Sequence, residues 1–144
     1  MAIVELNSPD VVRLSGITYR QLDYWIHLGL ITPMKASSGI GDPRRYSFED
    51  LLRVRVIGQL RSKGLSLQMI RKAVKALEER WQVADPLLSG AMLAIGRDVY
   101  FAESPTELWH VLSGQGAVKS FLLVDVGALA RDTEERVREH QLAA

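Results

Sequence analysis

In the first half of the chain, apolar positions recur three and four residues apart in four successive stretches. Each stretch opens on a small polar residue. This is the pattern of short amphipathic helices with N-caps. The first is predicted from Ser8-Pro9-Asp10, with Ser8 as cap, Pro9 at the first helical position, and Val11, Val12 and Leu14 as the apolar face, up to Gly16. Thr18 opens the second as the first member of a capping box, Thr18-Tyr19-Arg20-Gln21. Leu22, Tyr24, Trp25 and Ile26 form its expected buried face, and Gly29 followed by Leu30 its stop. Ser47, with Glu49 and Asp50 in the first turn, starts a third helix through Leu51, Leu52, Val56, Ile57 and Leu60 to Gly64. Ser66 starts a fourth, with Leu67, Ile70, Val74, Leu77 and Trp81 in a narrow stripe. Asp85-Pro86 is expected to break it. Between the second and third helices, residues 35–45 are poor in apolar side chains, and Ser37 to Pro43 reads as a loop. Short extended pieces around Met34 and around Arg45-Tyr46 would make that loop a two-stranded wing.

Beyond Asp85 the period changes. Leu93-Ala94-Ile95 and Val99-Tyr100-Phe101 flank Gly96-Arg97-Asp98 as a hairpin. Ser104-Pro105-Thr106-Glu107 opens a short helix to Leu112, and Ser113 to Gly116 is a turn. Phe121 to Val126 reads as a buried strand. From Ala128 the pattern is helical again, with Leu129, Ala130, Thr133 and Val137 on one side. The expected fold is mainly α (α+β), with residues 1–84 forming a winged helix-turn-helix and residues 85–144 a small α+β module.

Composition adds exclusions. The 144 residues are 47% hydrophobic and 24% charged, ordinary for globular domains. Without cysteine there is no disulfide, thiolate metal site or thiol switch. His27, His110 and His140 match no metal-ligand spacing. No apolar run is long enough to span a bilayer, and the N-terminus has no signal-peptide pattern, so a cytoplasmic, nucleoid-associated protein is expected. The net charge of +1 hides an asymmetry. Residues 1–80 hold 13 Lys and Arg against 8 Asp and Glu, residues 81–144 only 5 against 9. The basic part suits a polyanionic partner.

Two short helices, a turn containing Gly16 and a basic loop are the parts needed to read DNA. The major groove, about 12 Å wide, admits one helix, whose N-terminal turn meets base edges. Here that turn carries Thr18, Tyr19, Arg20 and Gln21, with Tyr24 one turn on. Arg20 can bond both acceptors of guanine. Gln21 can bond adenine, or be occupied by its capping role. Lys35, Arg44 and Arg45 in the wing supply charge for phosphates, and Tyr46 beside them is a further candidate DNA contact; Arg13 and Arg53 add to the charge. Trp25 is assigned to the core.

Four strings carry a family resemblance: Val11-Val12-Arg13-Leu14-Ser15-Gly16, the run from Leu22 to Pro33, Arg45-Tyr46-Ser47-Phe48-Glu49-Asp50-Leu51, and the run from Ile57 to Ile70. Over residues 9–81 the chain resembles the DNA-binding domain of the mercury-resistance-regulator (MerR) family. The resemblance implies a winged helix-turn-helix that binds a palindromic operator in double-stranded DNA as a homodimer, with Tyr19, Arg20, Tyr24 and Arg45 touching DNA. Many members bend and untwist a promoter so that RNA polymerase engages it, a form of indirect readout. Two features depart from the family. Asp23 stands where most members have an arginine, commonly a phosphate contact. An acid there would repel phosphate, so it is expected to accept a bond from a neighbouring side chain or from cytosine. The long dimerisation helix that usually follows the fourth helix is interrupted at Asp85-Pro86, which moves dimerisation to the C-terminal module.

That module is read first as a dimerisation unit, its strand and amphipathic helix pairing across a two-fold axis. The second reading is an effector domain, with no effector indicated. Tyr100, Phe101 and Trp109 are read as core before pocket lining. The final helix is too short to stand alone and must pack on something. A competing class is a DNA-architectural or adaptor protein, a recombination directionality factor or toxin-neutralising partner, gripping a protein through its acidic part. No nucleophile with a paired base, phosphate-cradling glycine loop or metal constellation points to an enzyme, and no cofactor is called for. Asp125 is the lone carboxylate of interest, and a structural role suits it.

Overall fold

The computed structural model describes residues 4–35, 43–80, 82, 84–88, 91–95, 98–102 and 122–143. The order of elements is α1 (Ser8–Ser15), α2 (Tyr19–His27), α3 (Phe48–Ser62), α4 (Leu67–Arg80), β1 (Ala91–Ile95), β2 (Asp98–Ala102), β3 (Leu122–Val124) and α5 (Val126–Ala143). The chain divides into two compact units, residues 1–58 with 129–144, and residues 59–128.

In the first unit, α1 starts one residue earlier than Ser8 as cap would imply. Asn7 is the cap, its side chain accepting from the Asp10 N–H at 2.9 Å while the Asp10 carboxylate accepts from the Asn7 N–H at 3.1 Å. Ser8 is thereby freed to bond the Tyr46 hydroxyl at 3.0 Å. Helix α2 has the expected box: Gln21 N–H donates to Thr18 Oγ1 (3.1 Å) and Thr18 N–H to Gln21 Oε1 (2.9 Å). It closes with a left-handed Gly29 at φ +79°, Gly29 N–H bonding Ile26 O and Leu30 N–H bonding Trp25 O. This Schellman turn sends the chain back toward the core through Leu30 and Ile31, both buried.

Val11, Leu14, Leu22, Trp25, Ile31 and Leu51 lie in the core of this unit. Helix α3 buries Leu51, Leu52, Val54, Val56 and Ile57, positions spread over most of its circumference. A helix apolar on so many sides is a central one. The apolar side of α5 joins the same unit: Leu129, Thr133 and Val137 are at most 8% exposed. Polar links fasten it there. Arg55 of α3, itself nearly buried, donates to Asp132 Oδ2 and Thr133 Oγ1, each at 2.7 Å. Thr133 in turn donates to Leu129 O at 2.6 Å. Arg136 donates to Leu14 O at 3.3 Å, and His140 lies between Asp10 and Arg13 of α1. The apolar side of α5, expected to pair across a two-fold axis, is thus buried within this unit and fastened to α1 and α3 by these polar links.

In the second unit, Gly64 (φ +98°) and Leu65 repeat the Schellman turn after α3. Ser66 caps α4 by accepting from Met69 N–H at 3.1 Å. Ile70, Ala73 and Leu77 are its buried face. The helix ends at Arg80, five residues ahead of Asp85, so the Pro86 ring is not what stops it; Asp85 to Leu88 form a separate turn. The expected hairpin forms with Asp98 inside a strand, β1 and β2 pairing antiparallel from Ala91↔Ala102 to Ile95↔Asp98. Strand β3 pairs antiparallel with the other edge of β1, in the order β2-β1-β3. It is shorter than expected, because α5 starts at Val126, two residues before Ala128. Asp125 has the structural role anticipated, accepting from Ala128 N–H at 3.0 Å at the head of α5. The expected helix from Ser104 to Leu112 and turn from Ser113 to Gly116 lie outside the described residues. Among the described residues, no helix is long and apolar enough to cross a membrane.

Candidate nucleic-acid interface

The exposed side of α2 follows from its buried side. With Leu22 and Trp25 in the core, residues three and four positions apart on the opposite stripe, Arg20, Asp23, Tyr24 and His27, face outward. Tyr19, in the first helical turn, also faces outward. Tyr19 is 52% exposed and Tyr24 51%. The placement of Tyr24 corrects the expectation that it shares the buried face: Leu22 and Trp25 alone fill that side, with Ile26 half-buried. Arg20 is exposed and makes no hydrogen bond or ion pair among the described residues. Thr18 and Gln21 are exposed but bonded to each other, so the Gln21 carbonyl oxygen is occupied in capping.

The wing begins as expected. Lys35 and Arg45 form an antiparallel bridge through two main-chain bonds of 3.1 and 2.9 Å. Its tip, residues 36–42, lies outside the described residues. Behind it, Leu6 and Tyr46 form a second bridge, both bonds 2.8 Å. The chain before α1 thus supports the wing, a long-range pairing not anticipated. Tyr46 has no exposed surface, and its hydroxyl meets Ser8. Its assignment to the DNA-facing surface of the wing is corrected: the side chain is buried, with its main chain paired to Leu6.

The candidate phosphate-binding arginines each meet an acid. Arg13 bonds Asp10 at 3.4 Å and His140 Nδ1 at 2.9 Å. Arginine has only donors, so Nδ1 accepts here, and Nε2–H faces Asp10 Oδ1 at 3.2 Å. Arg45 meets Glu5 at 3.3 Å. Arg44 donates through Nη1 to Asp23 Oδ1 at 2.5 Å. The Asp23 carboxylate, working against partial burial and helped by Tyr46, holds the Arg44 guanidinium above its usual range. Of the two partners expected for Asp23, the structure supplies the neighbouring side chain.

Asp50 holds this framework together, a role beyond that of a favourable first-turn acid. It is 3% exposed. Its Oδ2 accepts from Ser47 N–H (2.9 Å) and from Met34 N–H (3.0 Å), and its Oδ1 accepts from Arg53 (2.9 Å). With Ser47 Oγ accepting from Asp50 N–H at 3.1 Å, the first bond completes a capping box. The second pins the strand entering the wing. The spacing Ser47-x-x-Asp50 signalled the box; nothing local signalled Met34. Arg53, half-buried against Asp50, supports the framework.

The profile of the MerR HTH family regulatory proteins matches residues 6–77. The chain belongs to this family. All ten candidate DNA-binding residues, from Arg13 to Tyr46, lie within the MerR match, whereas the sheet and α5 lie beyond it. The chain is 35% identical over 113 residues to uncharacterised HTH-type transcriptional regulators of Mycobacterium tuberculosis and Mycobacterium bovis, covering 78% of its own length and 49% of theirs. It is 33% identical over 88 residues to the HTH-type transcriptional regulator TnrA of Bacillus subtilis, covering 58% of its own length and 77% of TnrA. The chain therefore spans about half the length of the mycobacterial relatives.

Proposed function

We propose that the chain is a sequence-specific DNA-binding transcription regulator that binds a palindromic operator as a homodimer. In this reading α2 enters the major groove and the wing from Lys35 to Arg45 lies on the sugar–phosphate backbone. The observation that carries it is the outward stripe of α2, where Tyr19, Arg20 and Tyr24 are exposed beside the cationic wing. Arg20, with no partner among the described residues, is the base-reading side chain. Tyr19 and Tyr24 offer hydroxyls and ring faces to sugar and phosphate. Arg44, Arg45 and Lys35 serve phosphates, as does Arg13, which must exchange Asp10 and His140 for that role. An exposed ion pair is worth little, about 0–1 kcal/mol, so such exchanges are inexpensive.

The family and the names of the relatives favour this reading over an enzyme or a protein adaptor. A dimer with two-fold symmetry requires half-sites about one helical turn apart, roughly 34 Å. Promoter deformation toward RNA polymerase is a further step of the same proposal. Footprinting and gel shifts with the DNA upstream of the chain's own gene, together with duplexes selected from a randomised library, test it. Protection of two symmetric half-sites is the expected result. No retained sequence at low salt, with a stoichiometric protein co-purifying instead, overturns it in favour of the adaptor.

A further inference from the structure

Asp23 sits in the middle of the outward stripe of α2, one turn on from Arg20 and next to Tyr24, where a bare carboxylate would face a polyanion. Its side chain is 65% exposed, yet one of its oxygens is held by Arg44, whose own side chain is 32% exposed. The two residues are 21 positions apart and belong to the two elements that would grip a duplex, the recognition helix and the wing. Arg44 is also the residue next to the bridge formed by Lys35 and Arg45.

We propose that Asp23 is a positioning residue: it holds Arg44 against the recognition helix, so that helix and wing present their cations to DNA as one preset surface. The proposal deepens the DNA-binding reading and rests on it. Nη1 of Arg44 is occupied by the carboxylate and the guanidinium also bonds Tyr46; the N–H donors not so occupied are left to meet a phosphate. A free arginine must be ordered on binding, which carries a conformational cost for each immobilised side chain; holding it beforehand removes most of that cost. The carboxylate also has an unfavourable effect, because it stands near phosphates. With Arg44 in place that repulsion is neutralised at its source, and without Arg44 it is not. The same acid therefore has opposite effects on affinity, according to whether its partner is present.

The test is a mutant cycle of Asp23→Asn and Arg44→Gln on the full chain, with the duplex that the wild-type chain retains from a randomised library. Asp23→Asn, although it makes the surface more cationic, is expected to weaken binding about three- to tenfold. In the Arg44→Gln background the same change is expected to strengthen binding. Asp23→Glu should recover part of the wild-type affinity. Thermal unfolding of Asp23→Asn should match the wild type, because an exposed pair contributes little to stability. Tighter or unchanged binding by Asp23→Asn, or weakening by the same factor in both backgrounds, overturns the proposal. A second measurement needs no DNA: rotation about the Arg44 Nε–Cζ bond, followed by NMR, should be slow in the wild type and fast in Asp23→Asn. Fast rotation in both overturns the clamp while leaving the DNA-binding reading intact. Slow rotation in a chain that retains no duplex overturns the DNA-binding reading and, with it, the role of Asp23 in that reading.

Discussion

Replacing Asp50 with alanine removes three hydrogen bonds to a carboxylate at once. Its acceptors serve the Ser47 N–H at 2.9 Å, the Met34 N–H at 3.0 Å and Arg53 at 2.9 Å. A bond to a charged group contributes about 1.5–3 kcal/mol when the site is buried. All three bonds here are only partly buried, and Arg53 is 25% exposed, so water can serve some of the abandoned groups. Taking the low end for each bond and discounting the one to Arg53 for solvent screening gives a loss of about 3 kcal/mol. Urea unfolding followed by far-UV circular dichroism measures it. With a slope of about 2 kcal/mol per molar, the midpoint should fall by about 1.5 M at unchanged slope. Asp50→Asn should lose less, since one carbonyl oxygen remains to accept. The loss should also concentrate where the strand enters the wing, so hydrogen exchange at Met34 and Lys35 should accelerate more than exchange within α1. A midpoint shift corresponding to less than about 1 kcal/mol would refute the reasoning, and so would uniform acceleration across the unit.

Three further outcomes are expected. Arg20→Ala should weaken binding to the selected duplex by about 1–3 kcal/mol and relax preference at one base pair, read by competition gel shifts against single-base variants. Arg45→Ala should weaken binding to all sequences about equally and flatten the dependence of log affinity on log salt by about one unit; an unchanged slope would remove the wing from the backbone. Asp132 has its carboxyl held below the usual range by the Arg55 hydrogen bond first, with Arg136 adding to it. A depressed folded pKa stabilises above the unfolded carboxylate value, about 3.9, and the contribution disappears as pH falls through the lower folded value. Asp132→Asn should therefore destabilise at pH 6 and lose that difference at acid pH, in paired thermal melts at the two pH values.

The helices of this protein were written in residues three and four apart. Thr18 with Gln21, Ser47 with Asp50, and Gly29 before Leu30 are local devices, and local hydrogen bonds impose local spacing, so the sequence determined them and with them the order helix, turn, helix, wing. The same period separates the buried Leu22 and Trp25 from the exposed Arg20, which made the outward stripe of α2 legible apart from Tyr24. Even at short range the cap is Asn7 and not Ser8, whose hydroxyl bonds a partner 38 residues away. The pairings that complete the candidate site join residues far apart in the chain: Leu6 with Tyr46, Asp23 with Arg44, Met34 with Asp50. No periodicity encodes them, because each depends on where two independently formed elements meet. The last helix is the clearest case. Its pattern announced an amphipathic helix in need of a surface, which could have been a second copy of the chain. Only the tertiary structure decided that Leu129, Thr133 and Val137 are covered by this chain itself, with Arg55 and Arg136 fastening the contact. An apolar face specifies that it must be buried, and packing alone specifies against what.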